Sequence, residues 1–295
     1  MSVQITTAFV QQYKGLLLEL AQQQESRLRN TVYVDTNIVG KRLYVDQIGV
    51  TSFQPINNRH GDSPLANTPH ARRAIDMADY DVGDLVDKPD LMRVLIDPVS
   101  GYVRVFAAAG GRLIDTIICN AYYATALTGE TGATSVSFLA ANQVAVNDWS
   151  YGTGTGNSGL TVSKLISAKV LLDQNESAWD DPRTLVCTAK QIGNLLATTE
   201  ATSADYAEVK ALVSGQINTF MGFNFIRTEL VPTDGSGFRR VMAYSRTGMA
   251  LGMEQDAKVN IAERADKRFS TYVYSALTLG ASRLEEPKCV EIKCA

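Results

Sequence analysis

The chain has 295 residues, of which 45% are hydrophobic and 20% are charged, a composition that excludes intrinsic disorder and fibrous repeats and favours one large globular domain or two smaller ones. Its 28 lysines and arginines against 31 aspartates and glutamates give a net charge of −3, without the basic stripe that grips nucleic acid through phosphates. Specific reading of DNA sequence is therefore not expected, and the lack of any run of about 18 apolar residues excludes a membrane-spanning helix.

The first predicted element is an amphipathic helix over residues 5–29. Its apolar stripe contains Ile5, Phe9, Tyr13, Leu16, Leu17 and Leu20. Lys14 and Glu19 interrupt the apolar stretch, so this segment lacks the order of a signal peptide, and the producing cell's cytoplasm is the expected location.

From Thr31 onward, apolar and polar residues alternate with a period of two, which predicts strands with a turn near Asn37 and Gly40. About 20 residues without a strong period follow, from Gly49 to Thr68, and residues 72–82 then alternate again. The pattern predicts one long two-stranded β-hairpin with an irregular tip, which we call the excursion. Because a lone hairpin is marginal in water and a structureless loop of this length is rare in a compact domain, the excursion needs another surface to lie on.

Residues 87–127 form the most helical part of the sequence. A short helix is predicted from Pro89 to Ile96, and a long helix begins at Asp97-Pro98 and ends near Thr128-Gly129. Gly110-Gly111 in its middle predicts either a bend or a close backbone approach.

The centre of the chain, from about 134 to 253, alternates between helix and strand. Helices are predicted at 160–175, 190–198, 204–217 and about 247–253, and strands at 184–187, 223–229 and 238–244. The end of the chain is mostly strand, at 268–279 and 288–294. Cys289 and Cys294 on the last strand are an odd number of residues apart, so their thiols lie on opposite faces and cannot share a metal ion. The four cysteines are predicted to be reduced thiols, because their spacing forms no disulfide framework.

A glycine-rich stretch, Gly152 to Thr161, precedes one of these helices and resembles a phosphate-binding loop. Leu160, however, stands where such a loop needs the lysine that reaches the phosphates. A flexible surface turn is therefore favoured over a nucleotide site, although a nucleotide-dependent enzyme remains an alternative that ATP or GTP binding would test.

The polar residues of the excursion are better explained by contacts between subunits than by catalysis or metal binding. His60 and His70 lie in its irregular part, without the rigid partners of a metal or catalytic site. The row of acidic residues Asp76, Asp79, Asp81, Asp84, Asp87 and Asp90 lacks the spacing of a calcium loop. Charges of both signs instead indicate contacts between subunits, and the candidates are Lys41, Arg42, Arg59, Arg72, Arg73, Asp76, Asp79, Asp81 and Asp84. No catalytic residue, cofactor or metal site is predicted.

Several segments, in their order and spacing, resemble the major capsid proteins of tailed double-stranded-DNA bacteriophages. They are residues 40–46, 59–62, 70–84, 95–100, 111–115 with 128–132, and 263–268 with 277–281. The resemblance implies an α+β protein with the Hong Kong 97-type capsid fold. It implies an N-terminal arm (1–30), an extended loop (31–88), a peripheral domain with a long spine helix (89–133 and 256–295) and an axial domain (134–255).

The resemblance also implies the partners. The chain is expected to assemble with itself into pentamers and hexamers of an icosahedral shell around packaged DNA, which it contacts without specificity. A separate scaffolding protein, a portal at one vertex and a decoration protein are implied as well, and no membrane. Some relatives join subunits through a lysine–asparagine isopeptide bond; Lys41 lies on the matching loop, but ion pairing is favoured there. The alternative within the same fold is the shell protein of a bacterial nanocompartment, an encapsulin.

Overall fold

The computed structural model describes residues 22–36, 38–56, 65–86, 98–176, 181–197 and 219–295. The predicted helices at 89–96 and 204–217 lie outside these residues, as does the predicted helix at 5–29 up to residue 21. Its predicted end is wrong, because residues 22–28 are not helical and a 3₁₀ turn, Arg29–Thr31, follows them. The chain divides into two compact units. One comprises residues 1–26, 79–113 and 255–278, and the other comprises residues 27–78, 114–254 and 279–295.

The larger unit contains a six-stranded sheet in the order β7-β14-β11-β8-β10-β9. These strands are β7 (Gln143–Val144), β8 (Arg183–Cys187), β9 (Thr219–Phe220), β10 (Phe223–Arg227), β11 (Arg239–Ser245) and β14 (Cys289–Cys294). The helices α2 (Val162–Gln174) and α3 (Ala189–Ala197) contribute to one apolar core with the sheet, which includes Leu165, Leu185 and Ile292. The predicted alternation of helix and strand is confirmed here, because each element has a clear period or a short apolar run.

The extended excursion is built from β2 (Arg42–Ile48) and β3 (His70–Asp76), which pair antiparallel from Arg42 opposite Asp76 to Ile48 opposite His70. They belong to a four-stranded sheet, β2-β3-β5-β6, with β5 (Ala126–Thr128) and β6 (Thr134–Val136). The short strand β1 (Tyr33–Asp35) lies outside the hairpin and pairs in parallel with β12 (Met249–Arg264).

The prediction of one continuous strand over 72–82 is wrong, because the chain changes sheets at Met77. β3 ends at Asp76, and β4 (Ala78–Val86) is the edge of a different sheet. That sheet is ordered β1-β12-β13-β4, where β13 is Ser270–Arg283. Met77 donates its backbone N–H to the carbonyl of Lys41, which closes the ladder of the hairpin at 2.9 Å. Alternation of side chains carries no information about such a change of partner, since the period of two continues across it.

The long helix α1 (Pro98–Tyr123) is confirmed, although it ends before the predicted stop near Thr128-Gly129 because β5 begins at Ala126. It continues through Gly110-Gly111 without a break. At Gly111 a Cβ atom would lie 2.8 Å from the backbone nitrogen of Ser26, so the predicted close approach is correct at this glycine. Farther along α1, the buried carboxylate of Asp115 accepts hydrogen bonds from the backbone N–H groups of Arg27 and Leu28 at 3.0 and 3.1 Å.

The predicted helix at 247–253 is wrong. A single 3₁₀ turn, Arg246–Gly248, leads into β12 (Met249–Arg264), which turns into β13 (Ser270–Arg283). Met249, Ala250, Leu251 and Met253 are all buried, so this stretch is apolar on both faces of the sheet. A run buried on both faces has no period that separates strand from helix. No helix in the described part of the chain has the length and hydropathy needed to cross a membrane.

Candidate assembly surfaces

The base of the β2–β3 hairpin is held by its own chain. β3 pairs antiparallel with β5, and Thr128 donates its hydroxyl to the carbonyl of Arg72 at 2.8 Å. Gln47 and Arg73 each donate a side-chain N–H to the carbonyl of Leu284 at 2.9 Å. The excursion therefore does find a surface to lie on at its base, within the same subunit.

Two ion pairs cross the hairpin between residues that stand directly opposite each other in the ladder. Arg42 Nε lies 2.5 Å from Asp76 Oδ1, and Arg72 Nε lies 2.5 Å from Asp46 Oδ1. The hydrogen bond from Arg72 lowers the pKa of the Asp46 carboxyl below its usual value. Facing charges of opposite sign favour this register over a slip by one residue, which would separate both pairs. The four charges thus have partners within the subunit.

The other predicted contact residues are distributed between the interior and the surface. Arg73 is largely buried, and its guanidinium lies 3.5 Å from the Glu286 carboxylate, so it belongs to the interior. Asp79 accepts a hydrogen bond from the Thr278 hydroxyl at 2.7 Å, and Asp81 one from Tyr274 at 3.5 Å. Asp84 accepts one from the backbone of Leu85. Lys41 is exposed, and Arg59 lies outside the described residues.

The apolar residues at the far end of the hairpin are the feature that the charge pattern did not predict. Val50, Phe53, Ile56 and Leu65 are 94, 106, 92 and 93% exposed, and Ile48 is 73% exposed. We call residues 49–69 the hairpin tip. Clustered apolar side chains at such exposure are unusual in a soluble monomer and mark an interaction surface. The spacing of Val50, Phe53 and Ile56 in a loop without a strand pattern was the signal in the sequence.

The glycine-rich stretch lies in a surface turn, as predicted, and residues 151–157 are exposed. The indole N–H of Trp149 donates to the carbonyl of Gly156 at 3.0 Å, and a Cβ atom at Gly154 would lie 2.6 Å from the same ring. Leu160 is fully buried, and Thr161 caps α2 by accepting the backbone N–H of Lys164. The Lys164 ammonium donates to the carbonyls of Ser158 and Lys293 at 2.8 Å each. Contacts within the chain thus close the loop, and backbone carbonyls hold the Lys164 ammonium.

The remaining candidates for chemistry lie apart from one another. His70 is exposed at the start of β3, and His60 lies outside the described residues. All four cysteines are free, as predicted, and all four are buried. Among the described ranges, no three residues of the types His, Cys, Asp and Glu come together as metal ligands.

Comparison with known proteins agrees with a surface built for assembly. A family model described as phage capsid protein matches residues 5–295. The chain belongs to the phage capsid protein family. It is therefore a structural protein of the virion capsid, and the prediction of a phage major capsid protein is confirmed. No curated protein matches this capsid protein.

Solved capsid structures share the fold of this phage capsid protein at low sequence identity. The capsid structure of cyanophage P-SCSP1u has a TM-score of 0.76 and 14% identity, covering 99% of this chain and 94% of that chain. The capsid of Ralstonia phage GP4 has a TM-score of 0.71 and 12% identity, covering 97% of this chain and 95% of that chain. Mycobacterium phage Che8 gives a TM-score of 0.69 and 17% identity, covering 96% of each chain. The Hong Kong 97-type fold predicted from the sequence is confirmed, and no comparison favours an encapsulin.

Proposed function

We propose that this capsid protein assembles with copies of itself into the pentamers and hexamers of a closed icosahedral shell that encloses packaged double-stranded DNA. Similar chains in solved structures are capsids of phages and of a gene transfer agent particle, which supports self-assembly. The observation that carries the proposal is the hairpin tip. Its base is paired within the subunit, whereas its apolar side chains face solvent and need a neighbour to cover them.

The exposed apolar side chains of the hairpin tip offer surface that a contact between subunits can bury. Each buried Å² of apolar surface contributes about 25 cal/mol, and the ordering of two partners offsets much of that gain. A single tip contact is therefore weak, but closed symmetry repeats it around the shell. The net charge of −3 agrees with a container whose DNA must leave again, since a strongly basic lining would retain it.

The assignment of segments to roles is part of the same proposal. Residues 1–30 act as an N-terminal arm, 31–88 as the extended loop, 89–133 and 256–295 as the peripheral domain, and 134–255 as the axial domain. Exposed Lys41 and the aspartates of β4 then help to set how neighbouring subunits align and which partner they bind. Exposed charges add specificity more than affinity to such contacts. A separate scaffolding protein, a portal at one vertex and a decoration protein complete the particle.

Expression of the protein with its scaffolding partner, followed by electron microscopy, tests the proposal. We expect closed shells of uniform diameter. Discrete dimers or tetramers under every condition of salt and protein concentration would contradict it. A bacterial nanocompartment protein would instead form shells that enclose an enzyme. The presence of packaged DNA in shells formed in vivo distinguishes a phage capsid from a nanocompartment.

A further inference from the structure

The turn between β5 and β6 packs on one face of the β2–β3 hairpin. It comprises residues 129–133, which we call the bracket turn, and the backbone N–H of Gly132 donates to the carbonyl of Gly129 at 3.2 Å. Gly132 has φ 70°, a backbone conformation that residues with a side chain rarely adopt. A Cβ atom there would also lie 2.7 Å from the Cβ atom of Ala74 on β3 and 3.0 Å from the Arg42 guanidinium. Glycine is therefore needed at this position both for the turn and for its close approach to the hairpin.

Two arginines connect the hairpin to the bracket turn. Arg42 donates through Nη1 to the carbonyl of Thr131 at 2.8 Å, and Arg72 Nη1 lies 3.5 Å from the carbonyl of Glu130. The Nε group of each guanidinium binds the aspartate that faces the arginine in the ladder. A guanidinium holds five N–H groups in a rigid plane, so it can bind a carboxylate and a carbonyl at once in a fixed orientation. The ion pairs of the hairpin thus orient both arginines toward the bracket turn.

The opposite face of the hairpin base is held as well. Side chains alternate between the two faces along a strand, so Gln47 and Arg73 lie on the face away from Arg42 and Arg72. Both donate a side-chain N–H to the carbonyl of Leu284 at 2.9 Å. The base of the hairpin therefore lies between Leu284 on one face and the bracket turn on the other.

We propose that the bracket turn, with Arg42 and Arg72 as positioning residues, fixes the direction in which the hairpin carries its tip away from the subunit. Its effect on shell formation rests on the proposed function. Exposed ion pairs contribute little to stability, and the two aspartate side chains here are 54 and 67% exposed. Their effect on direction is larger, because ten extended residues reach up to about 33 Å, and a rotation of about 10° at the base displaces the far end by up to about 6 Å. A displacement of that size exceeds van der Waals range, so the tip of a tilted hairpin misses its contact.

The first test measures the direction of the hairpin in the unassembled subunit. Spin labels are attached at Ile48→Cys on β2 and Lys190→Cys on α3, where both native side chains are exposed, whereas all four native cysteines are buried. The distribution of distances between the labels should be narrow in the parent. It should be at least twice as wide when Arg42→Lys and Arg72→Lys are combined. This double variant keeps both charges but loses both planar forks, so its melting temperature should stay within about 2 °C of the parent.

The second test separates backbone strain from contact with the hairpin. Gly132→Ala introduces both strain at φ 70° and a collision with Ala74. The matched control is Gly237→Ala. Gly237 has φ 83° and donates its N–H to the carbonyl of Asp234, three residues earlier, at 3.0 Å, but a Cβ atom there would meet nothing within 4 Å. Both variants should melt at a lower temperature, because alanine is strained at a positive φ.

Only Gly132→Ala should widen the label distances at least twofold. Together with the double variant, it should also need at least tenfold more protein than the parent to form closed shells. The shells of Gly237→Ala should form at the parent concentration.

Any of three results would overturn the inference. The label distances of the double variant would stay as narrow as those of the parent, Gly132→Ala would widen them no more than Gly237→Ala does, or the double variant would form shells at the parent concentration despite wider distances. If Gly132→Ala does not fold, the double variant decides the question. The label distances need no shell, so they test the bracket turn even if the parent chain forms none, a result that would contradict the proposed function instead.

Discussion

At the scale of single residues, Arg283 connects three parts of the capsid protein. Its fully buried guanidinium donates to the carbonyls of Tyr122 and Ala124 at the end of α1, and to that of Val136 on β6. The Glu286 carboxylate lies 2.8 Å from Arg283 Nε. The last carbonyls of a helix have no partner within it, so this arginine supplies donors that the helix lacks. Only arginine presents so many donors in a planar fork, which is why lysine would not replace it.

Buried thiols give the protein a predictable response to alkaline pH. Burial raises the pKa of Cys119, Cys187 and Cys294 to about 12, and that of Cys289 further. An unfolded thiol has a pKa of about 8.5. Below that pH the thiols are protonated in both states and stability is complete. Above it the unfolded chain loses protons that the native state keeps, so stability falls as the pH rises toward the folded values.

We therefore expect the free energy of unfolding to fall by up to about 1.4 kcal/mol per pH unit for each thiol above about pH 9. Urea denaturation at several pH values measures this slope. Cys119→Ala is the control, and it should reduce the slope by the contribution of one thiol. Equal slopes in the variant and the parent would show that this thiol ionises in the native protein.

At the scale of elements, two glycines within helices differ in what surrounds them. One is required by close packing, whereas the other only lowers the helix propensity of its segment. At Gly111 in α1 a Cβ atom would lie 2.8 Å from Ser26 N and 2.9 Å from the Glu25 carbonyl carbon. At Gly193 in α3 a Cβ atom would meet nothing within 4 Å. Residues 25 and 26 thus lie directly against α1 at Gly111.

Gly193→Ala should stabilise the protein by about 1 kcal/mol, because alanine is the better helix former. Gly111→Ala should destabilise it by about 1–3 kcal/mol, because the added methyl group has no room. Urea denaturation of both variants measures the difference. Stabilisation by both substitutions would show that residues 25 and 26 do not pack on α1.

The same elements show what the sequence could and could not predict. The helices α1, α2 and α3 and the central strands were predictable because their periods or short apolar runs are clear. The strand β12 was mistaken for a helix where it is buried on both faces. The break at Met77 was missed because it depends on a hydrogen bond to Lys41, which is distant in sequence. Charges on the hairpin were identified, but their partners were not, since pairing across a ladder depends on a register that the sequence alone leaves open.

At the scale of the whole molecule, the central claim is that the subunit folds alone but completes its apolar contacts only in the shell. The six-stranded sheet and its helices have a core of their own. The hairpin tip has no such core within the described residues, because Val50, Phe53, Ile56 and Leu65 are almost fully exposed.

The most direct measurement replaces the hairpin tip, residues 49–69, with Asn-Gly. Ile48 and His70 are partners in the ladder, so a two-residue turn can join them without changing the register. We expect the shortened protein to remain folded, with the melting temperature of the unassembled parent within a few degrees, and to form no closed shells by electron microscopy. Closed shells of the parent diameter, or a chain that no longer folds, would contradict the account.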